Sequence, residues 1–505
     1  MKKNGDRKEK ATASHMLLIA ASVCLLIGAG SCMSESERAA ETKSKVHEGV
    51  ALYKARQFEE AAKVLKEAVH LSPDNADARM RLGFVYLELQ RYEDASVELK
   101  RAIEIDPSMK QAHLYLGYAY QGRQKYDEAE QEFKQAIRIN TCYADGYQGL
   151  GAVYYVQGRY NEAALLLAEA TRLDPNLVRA YEGLGCTYYH LNRYDEAEKE
   201  LREALRLAPA QVGAHLWLAD VLAEMARYEE AISEYREAGR LCPDNVRVSQ
   251  GLGRTYYVLG RYDDAVAALN EAIRLKPDDA IARGGLADSY FYLGQFDEAE
   301  RELKEALRLK PDYEWAYGRL GDVHGHLKRY DEAIPELQEA IRLDPNYGWA
   351  YARLGDVYRV LNRYDEAIAQ YKEAIAKDPN DTRGYMNLAY VYRLLKKYDL
   401  ALESLKEAVR VEPAYAWAHS MLGRTYDLLG QYDAALAEHK EAIRLDPNSA
   451  RIYVMLAGSY KKQKKYEQAE QPLREAIRLA PDEPYAYRSL AEVFARLGRF
   501  EEGEA

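Results

Sequence analysis

Residues 348–381 read GWAYARLGDVYRVLNRYDEAIAQYKEAIAKDPND, and the chain returns to this text every 34 residues for most of its 505-residue length. The prolines show the register. Pro73, Pro107, Pro175, Pro209, Pro243, Pro277, Pro311, Pro345, Pro379, Pro413, Pro447 and Pro481 lie on one 34-residue lattice, and Thr141 alone breaks it. A fixed period of 20–50 residues marks a repeat array. We number each repeat from 31 residues before its proline. In 348–381, Tyr351, Leu354, Gly355 and Tyr358 then occupy positions 4, 7, 8 and 11, and Ala367, Tyr371, Ala374 and Pro379 occupy 20, 24, 27 and 32.

The first four of these positions share one helical stripe, and positions 20, 24 and 27 share a second. Between the stripes sits a polar turn, Leu361 to Glu366, in which Asp365 is expected to cap the second helix. The proline closes that helix. Small residues at 8, 20 and 27 let the two helices approach, and larger ones fill the gaps. One such hairpin cannot bury its apolar face alone, whereas stacked neighbours can, so the spacing predicts an all-α solenoid.

The same residues resemble the tetratricopeptide repeat (TPR), whose signature is a large residue, Leu-Gly, Tyr, Ala, a large residue, Ala and Pro at these spacings. The resemblance implies a right-handed superhelical solenoid over residues 45–505, with about 13 full repeats plus a terminal helix at 484–497. The first repeat, 42–75, is degenerate, with Glu48 at the leucine position and Leu52 at the tyrosine position, as suits a cap.

Residues 1–31 differ in kind. Lys2, Lys3, Arg7, Lys8 and Lys10 precede an apolar run of 15 residues, Met16 to Gly30. That is short for a span, which needs about 20 residues, and suits a secretory signal. It ends Gly28-Ala29-Gly30-Ser31-Cys32, which resembles a bacterial lipoprotein signal with Ala29 where leucine is commonest. The resemblance implies a signal peptide at 1–31, lipidation at Cys32 and a membrane-anchored place in the cell envelope, facing the periplasm or exterior. Met33 rather than aspartate leans towards the outer membrane if the organism has two. Residues 33–44 are polar without an apolar period and read as a tether.

Composition narrows the function. The net charge is −11, and the basic leader contributes in the opposite sense, so the repeats disfavour non-specific nucleic-acid binding. Cys142, Cys186 and Cys242 fall at different register positions, fit no metal motif and read as small buried residues. No phosphate-cradling loop and no catalytic constellation stands out, so the reading is of a non-enzyme without cofactor. Asp322-Val323-His324-Gly325-His326 gathers three possible metal ligands, but His324 occupies position 11, the tyrosine position, and reads as a core substitution.

Function is expected on the second face of helix A, which in the TPR family lines the concave groove. Position 9 runs Val50, Phe84, Tyr118, Ala152, Cys186, then Asp220, Arg254, Asp288, Asp322, Asp356. Arg319 and Arg353 stand at position 6 and Arg359 at 12. Trp315, Trp349 and Trp417 stand at position 2, and Tyr155, Tyr189, Tyr257 and Phe291 at 12. Two readings of this ladder compete. The aspartates are a solvated surface paired with nearby arginine, or they bind backbone amides of an extended chain clamped by the aromatics. The family's chaperone-tail clamp is disfavoured, since position 5 never carries lysine and Asn387 is the one asparagine at position 6.

The resemblance therefore implies a lipid-anchored scaffold in the bacterial envelope that binds proteins or extended peptides. The alternatives are a polysaccharide-binding or export scaffold, and the non-catalytic substrate arm of an enzyme complex.

Overall fold

The computed structural model describes residues 33–482 and 484–499. The expected signal peptide and Cys32 lie outside the described residues. Those residues form 27 helices and no strand. They pair in order as helix A and helix B of each repeat, for example Gly348–Val360 with Tyr364–Lys377. The chain divides into two compact units, Met1–Pro243 and Asp244–Ala505. Within each unit every helix packs on the next, and helix A of one repeat also touches helix A of its neighbour. The A helices therefore form the inner wall.

Local chemistry explains the hairpin. Helix A ends at a residue in the left-handed region, Asn362 at φ 58°. The Asn362 N–H donates to the Arg359 carbonyl at 3.1 Å and the Arg363 N–H to the Tyr358 carbonyl at 2.8 Å. This is the two-bond closure of a helix C-terminus. Glycine takes the same slot at Gly158, Gly260, Gly294 and Gly430, where a positive φ costs it least. The closure also corrects one expectation. Helix B begins at Tyr364 with Arg363 at its N-cap and no side-chain cap, so Asp365 lies in the first turn. There it complements the helix dipole instead of capping.

Inside the hairpin, Ala367 and Tyr371 are fully buried. A Cβ at Gly355 would stand 2.8 Å from Tyr371 Cε1, so position 8 must be small wherever position 24 is large. The tyrosine at position 11 is covered by the arginine at 16. Arg363 lies 4.4 Å over the Tyr358 ring and Arg193 lies 4.4 Å over Tyr188.

The N-terminal segment departs from the tether reading. Residues 35–44 are the first turns of the helix Glu35–Lys54. Ser34 Oγ accepts from the Glu37 N–H at 3.2 Å, and Glu37 Oε2 accepts from the Ser34 N–H at 2.8 Å. This capping box starts the helix in a stretch without an apolar period, ahead of the buried residues Thr42, Val46 and Gly49. Thr42 is buried and fastens it, with its hydroxyl 2.8 Å from Ser72 Oγ. One smaller correction concerns the cysteines read as buried. Cys142 is exposed in the connector that lacks proline, while Cys186 is buried. In the last helix, Pro484–Leu497, the buried residues are Ala486, Ser489, Val493 and Phe494, and Tyr487 is 48% exposed.

Candidate functional site

The inner wall is built by positions 2, 5, 6, 9 and 12 of successive A helices. In the second unit the acidic ladder does not stand in solvent. Asp288 and Asp322 are buried, 8% and 6% exposed. Arg319 joins them. Its Nε stands 2.6 Å from Asp288 Oδ1, an ionic contact without an aligned hydrogen bond, and its Nη1 stands 3.2 Å from Asp322 Oδ2. Arg353 Nε lies 3.5 Å from Asp322 Oδ1, and its Nη1 lies 3.5 Å from Asp356 Oδ2. Arg359 Nη2 lies 3.7 Å from Asp356 Oδ1. Acid and base thus alternate across three repeats.

Hydroxyls complete the network. Tyr257 donates to Asp288 Oδ2 at 3.2 Å, and Tyr371 donates to Asp356 Oδ1 at 2.7 Å. Burial pushes the Asp288 carboxyl above its ordinary range, and Arg319 opposes that rise. Burial works against the Arg319 charge, yet Asp288 and Asp322 hold it above the ordinary value.

The aromatics serve this network as walls. Arg319 lies 5.0 Å from the Phe291 ring and 5.2 Å from that of Trp349. Trp315 and Trp349 pack on the glycines at position 5 of the preceding repeat. A Cβ at Gly284 would meet Trp315 at 2.9 Å, and one at Gly318 would meet Trp349 at 3.2 Å. Cation–π contact of this kind is worth more as water is excluded.

The structure therefore brings together Tyr257, Asp288, Phe291, Trp315, Arg319, Asp322, Trp349, Arg353, Asp356 and Arg359. It does not gather the remaining expected residues there. Asp220, Tyr155 and Tyr189 belong to the first unit. Asp220 accepts from the Tyr235 hydroxyl, and Tyr155 lies 3.0 Å from His190 Nε2. Arg254 is exposed, and Trp417 is covered by Arg451 at 4.4 Å. The carboxylates are paired with arginine, as the first reading of the ladder supposed, but Asp288 and Asp322 are buried rather than solvated.

The first unit carries an open hollow of about 740 Å³ in its inner wall. Tyr53, Phe84, Leu87, Tyr115, Tyr118 and Tyr143 line it, with Glu88, Asp145 and Arg179 at its polar side. Phe84 stacks on Tyr115 with ring centres 4.5 Å apart and touches Tyr53 at 5.1 Å. The Tyr118 hydroxyl donates to Gln148 Oε1 at 3.0 Å. Here aromatic faces are half-buried and meet no ladder of charges. The sequence signal is the apolar start of position 9, Phe84 and Tyr118.

Models of the tetratricopeptide repeat match the chain almost from end to end. One matches residues 52–115, 222–288, 326–389 and 428–493, a second matches 116–178, 148–212, 182–246 and 285–348, and a third matches 381–448. The chain belongs to the tetratricopeptide repeat family. TPR arrays are interaction scaffolds as a class, and the fold is typically non-catalytic. Among solved structures, the chain is similar to one described as the APC/C hetero-tetramer Cut9-Hcn1, at 17% identity over 88% of this chain and 95% of that one, with a TM-score of 0.40. It is also similar to pilF of Pseudomonas aeruginosa, at 30% identity over 40% of this chain and 93% of that one, with a TM-score of 0.37. Comparison with curated proteins gave no match. No helix among the described residues is long and apolar enough to cross a membrane.

Proposed function

We propose that this TPR array is a non-enzymatic, lipid-anchored scaffold of the bacterial envelope that holds an extended segment of a partner protein along its inner wall. The observation that carries the reading is the contrast between the two stretches of wall. The ladder from Asp288 to Asp356 has its charges satisfied within the protein. The hollow around Phe84 and Tyr118 presents aromatic faces that are not consumed in this way. Aromatic side chains in a concave, half-desolvated seat are the usual anchors of a protein interface. The partner segment accordingly carries apolar side chains for this seat. Within the second unit, Tyr257, Phe291, Trp315 and Trp349 are half-buried aromatics on the inner wall, and the aspartates and arginines among them hold its shape.

The anchor rests on the basic start, the 15-residue apolar run and the small residues before Cys32. Lipidation there would raise the effective concentration of the scaffold at the membrane. A polysaccharide ligand is the second reading, favoured by the tyrosine-rich lining of the hollow, since flat aromatic faces also suit sugar rings.

The test compares partner recovery by wild type and by Phe84→Ala/Tyr118→Ala after crosslinking in cells. Loss of one protein species from the variant, with an unchanged melting curve, supports the seat. Equal recovery by both removes it, and loss of a glycan species instead favours the second reading.

A further inference from the structure

The array contains its own control for one unusual cluster. In the repeat 144–177, Tyr154 at position 11 donates its hydroxyl to Glu130 of the preceding repeat at 3.0 Å. Lys134 and Arg159 flank that carboxylate, at 2.5 Å and 3.3 Å. In the repeat 314–347 the surroundings recur. Glu300 meets Lys304 at 2.5 Å and Arg329 at 2.8 Å. Two residues differ. Position 11 is His324 instead of tyrosine, and position 23 is Glu336 where 144–177 has Leu166.

The exchange changes what the carboxylate faces. His324 is completely buried. Its Nδ1 lies 2.7 Å from Glu336 Oε2. Its Nε2 points between two further carboxylates, 3.3 Å from Glu300 Oε1 and 3.9 Å from Glu332 Oε2, and completes a hydrogen bond with neither. The three donor atoms of Glu300, His324 and Glu332 lie within 4.8 Å of one another.

We propose that Glu300, His324 and Glu332 bind a divalent transition-metal cation, zinc fitting best, with Glu336 as the residue that positions the imidazole. The set is one imidazole nitrogen and two carboxylates, the hard-to-borderline mixture that zinc accepts. Two ligands about 2.0 Å from a tetrahedral zinc stand roughly 3.3 Å apart, and the Nε2 to Glu300 separation already meets this. Glu332 must close on Nε2 by about 0.6 Å and on Glu300 by up to about 1.5 Å, and its side chain is more than half exposed and can swing inward by a rotamer change. A carboxylate on the far nitrogen of a ligating histidine fixes its tautomer and raises its basicity, and Glu336 stands there. Lys304 competes for Glu300 Oε1, but its side chain is 56% exposed and can turn to solvent, while Arg329 stays on Oε2. The cation would staple the repeat 280–313, which supplies Glu300, to the repeat 314–347, which supplies the rest. It would be a structural clasp within the second unit and is independent of the aromatic hollow.

The experiment uses the full-length chain, stripped with chelator and titrated with cobalt(II), then competed with zinc. Wild type is expected to take up one equivalent with the visible absorption of low-coordinate cobalt and without thiolate charge transfer, which would betray cysteine binding. It should also gain thermal stability with zinc. His324→Tyr restores the residue of most other repeats and should fold while losing this uptake. Glu332→Gln, at a half-exposed position, should weaken it at least tenfold, and Glu336→Gln should weaken it about 10–100-fold. No uptake by wild type, or uptake unchanged in both His324→Tyr and Glu332→Gln, would overturn the proposal.

Discussion

Arg319 and Asp288 come from consecutive repeats and meet at 2.6 Å inside the inner wall, where the guanidinium also reaches Asp322 at 3.2 Å. One side chain is therefore shared by two buried carboxylates, and Arg353 supplies a second cation beside Asp322 at 3.5 Å. Deleting one partner of a buried ion pair leaves uncompensated charge and costs about 3–5 kcal/mol. Arg319→Ala should lower the stability of the second unit by that order. Chemical denaturation followed by hydrogen exchange over residues 280–360 checks it. A variant as stable as wild type would return the ladder to the role of a free binding surface.

That outcome also bears on how much was legible in advance. The period and the stripes specify both helices of each hairpin, because position 8 and position 24 must fit one another wherever they occur. Burial of the ladder was not legible, because it depends on Arg319 reaching back 31 residues to Asp288 of the preceding repeat. Chain neighbours misled in the same way at His324. Asp322 and His326 stand beside it in sequence, yet the carboxylates that face its ring nitrogens are Glu300, Glu332 and Glu336, from the B helices on either side. The helix at 35–44 was readable from Ser34 and Glu37, three residues apart, but its lack of an apolar period hid it.

Acidity should act on the same cluster. Burial works to lower the His324 value, but Glu336 and Glu300 more than offset this and hold it above 6.5. A raised histidine value means stability that is complete below the unfolded value and is lost as pH rises through the folded one. Glu300 is opposed by burial, yet Lys304 and His324 depress it to about 2. Its contribution is present above 4.5 and is lost as pH falls towards 2. Metal-free wild type compared with His324→Tyr by urea denaturation should show an advantage at pH 6 that shrinks by pH 8.5. A difference independent of pH would contradict the ion cluster.

Leu320 is buried at position 7 between neighbouring helices. Leu320→Ala should cost roughly 2–5 kcal/mol. Contacts run only between neighbours in a repeat array, so protection should fall near residues 280–350 and persist elsewhere in the chain. Uniform loss across every repeat in hydrogen exchange would contradict the nearest-neighbour account.

Ser34 should matter at the other end. Ser34→Ala removes half of the capping box and should cost about 0.5–2 kcal/mol locally. Amide exchange of residues 35–44 should speed up while the repeat 76–109 stays protected. Unchanged exchange at 35–44 would mean that Thr42 and Ser72 alone hold the segment.

The central claim, that the partner lies in the aromatic hollow of the first unit, is tested most directly by a photo-crosslinking amino acid placed at Phe84 and, separately, at Lys199, whose side chain is 81% exposed. The account predicts one protein adduct from position 84 that position 199 does not give, and that Tyr118→Ala in the same chain diminishes. Identical adducts from both positions, or an adduct at 84 that Tyr118→Ala leaves intact, would contradict it.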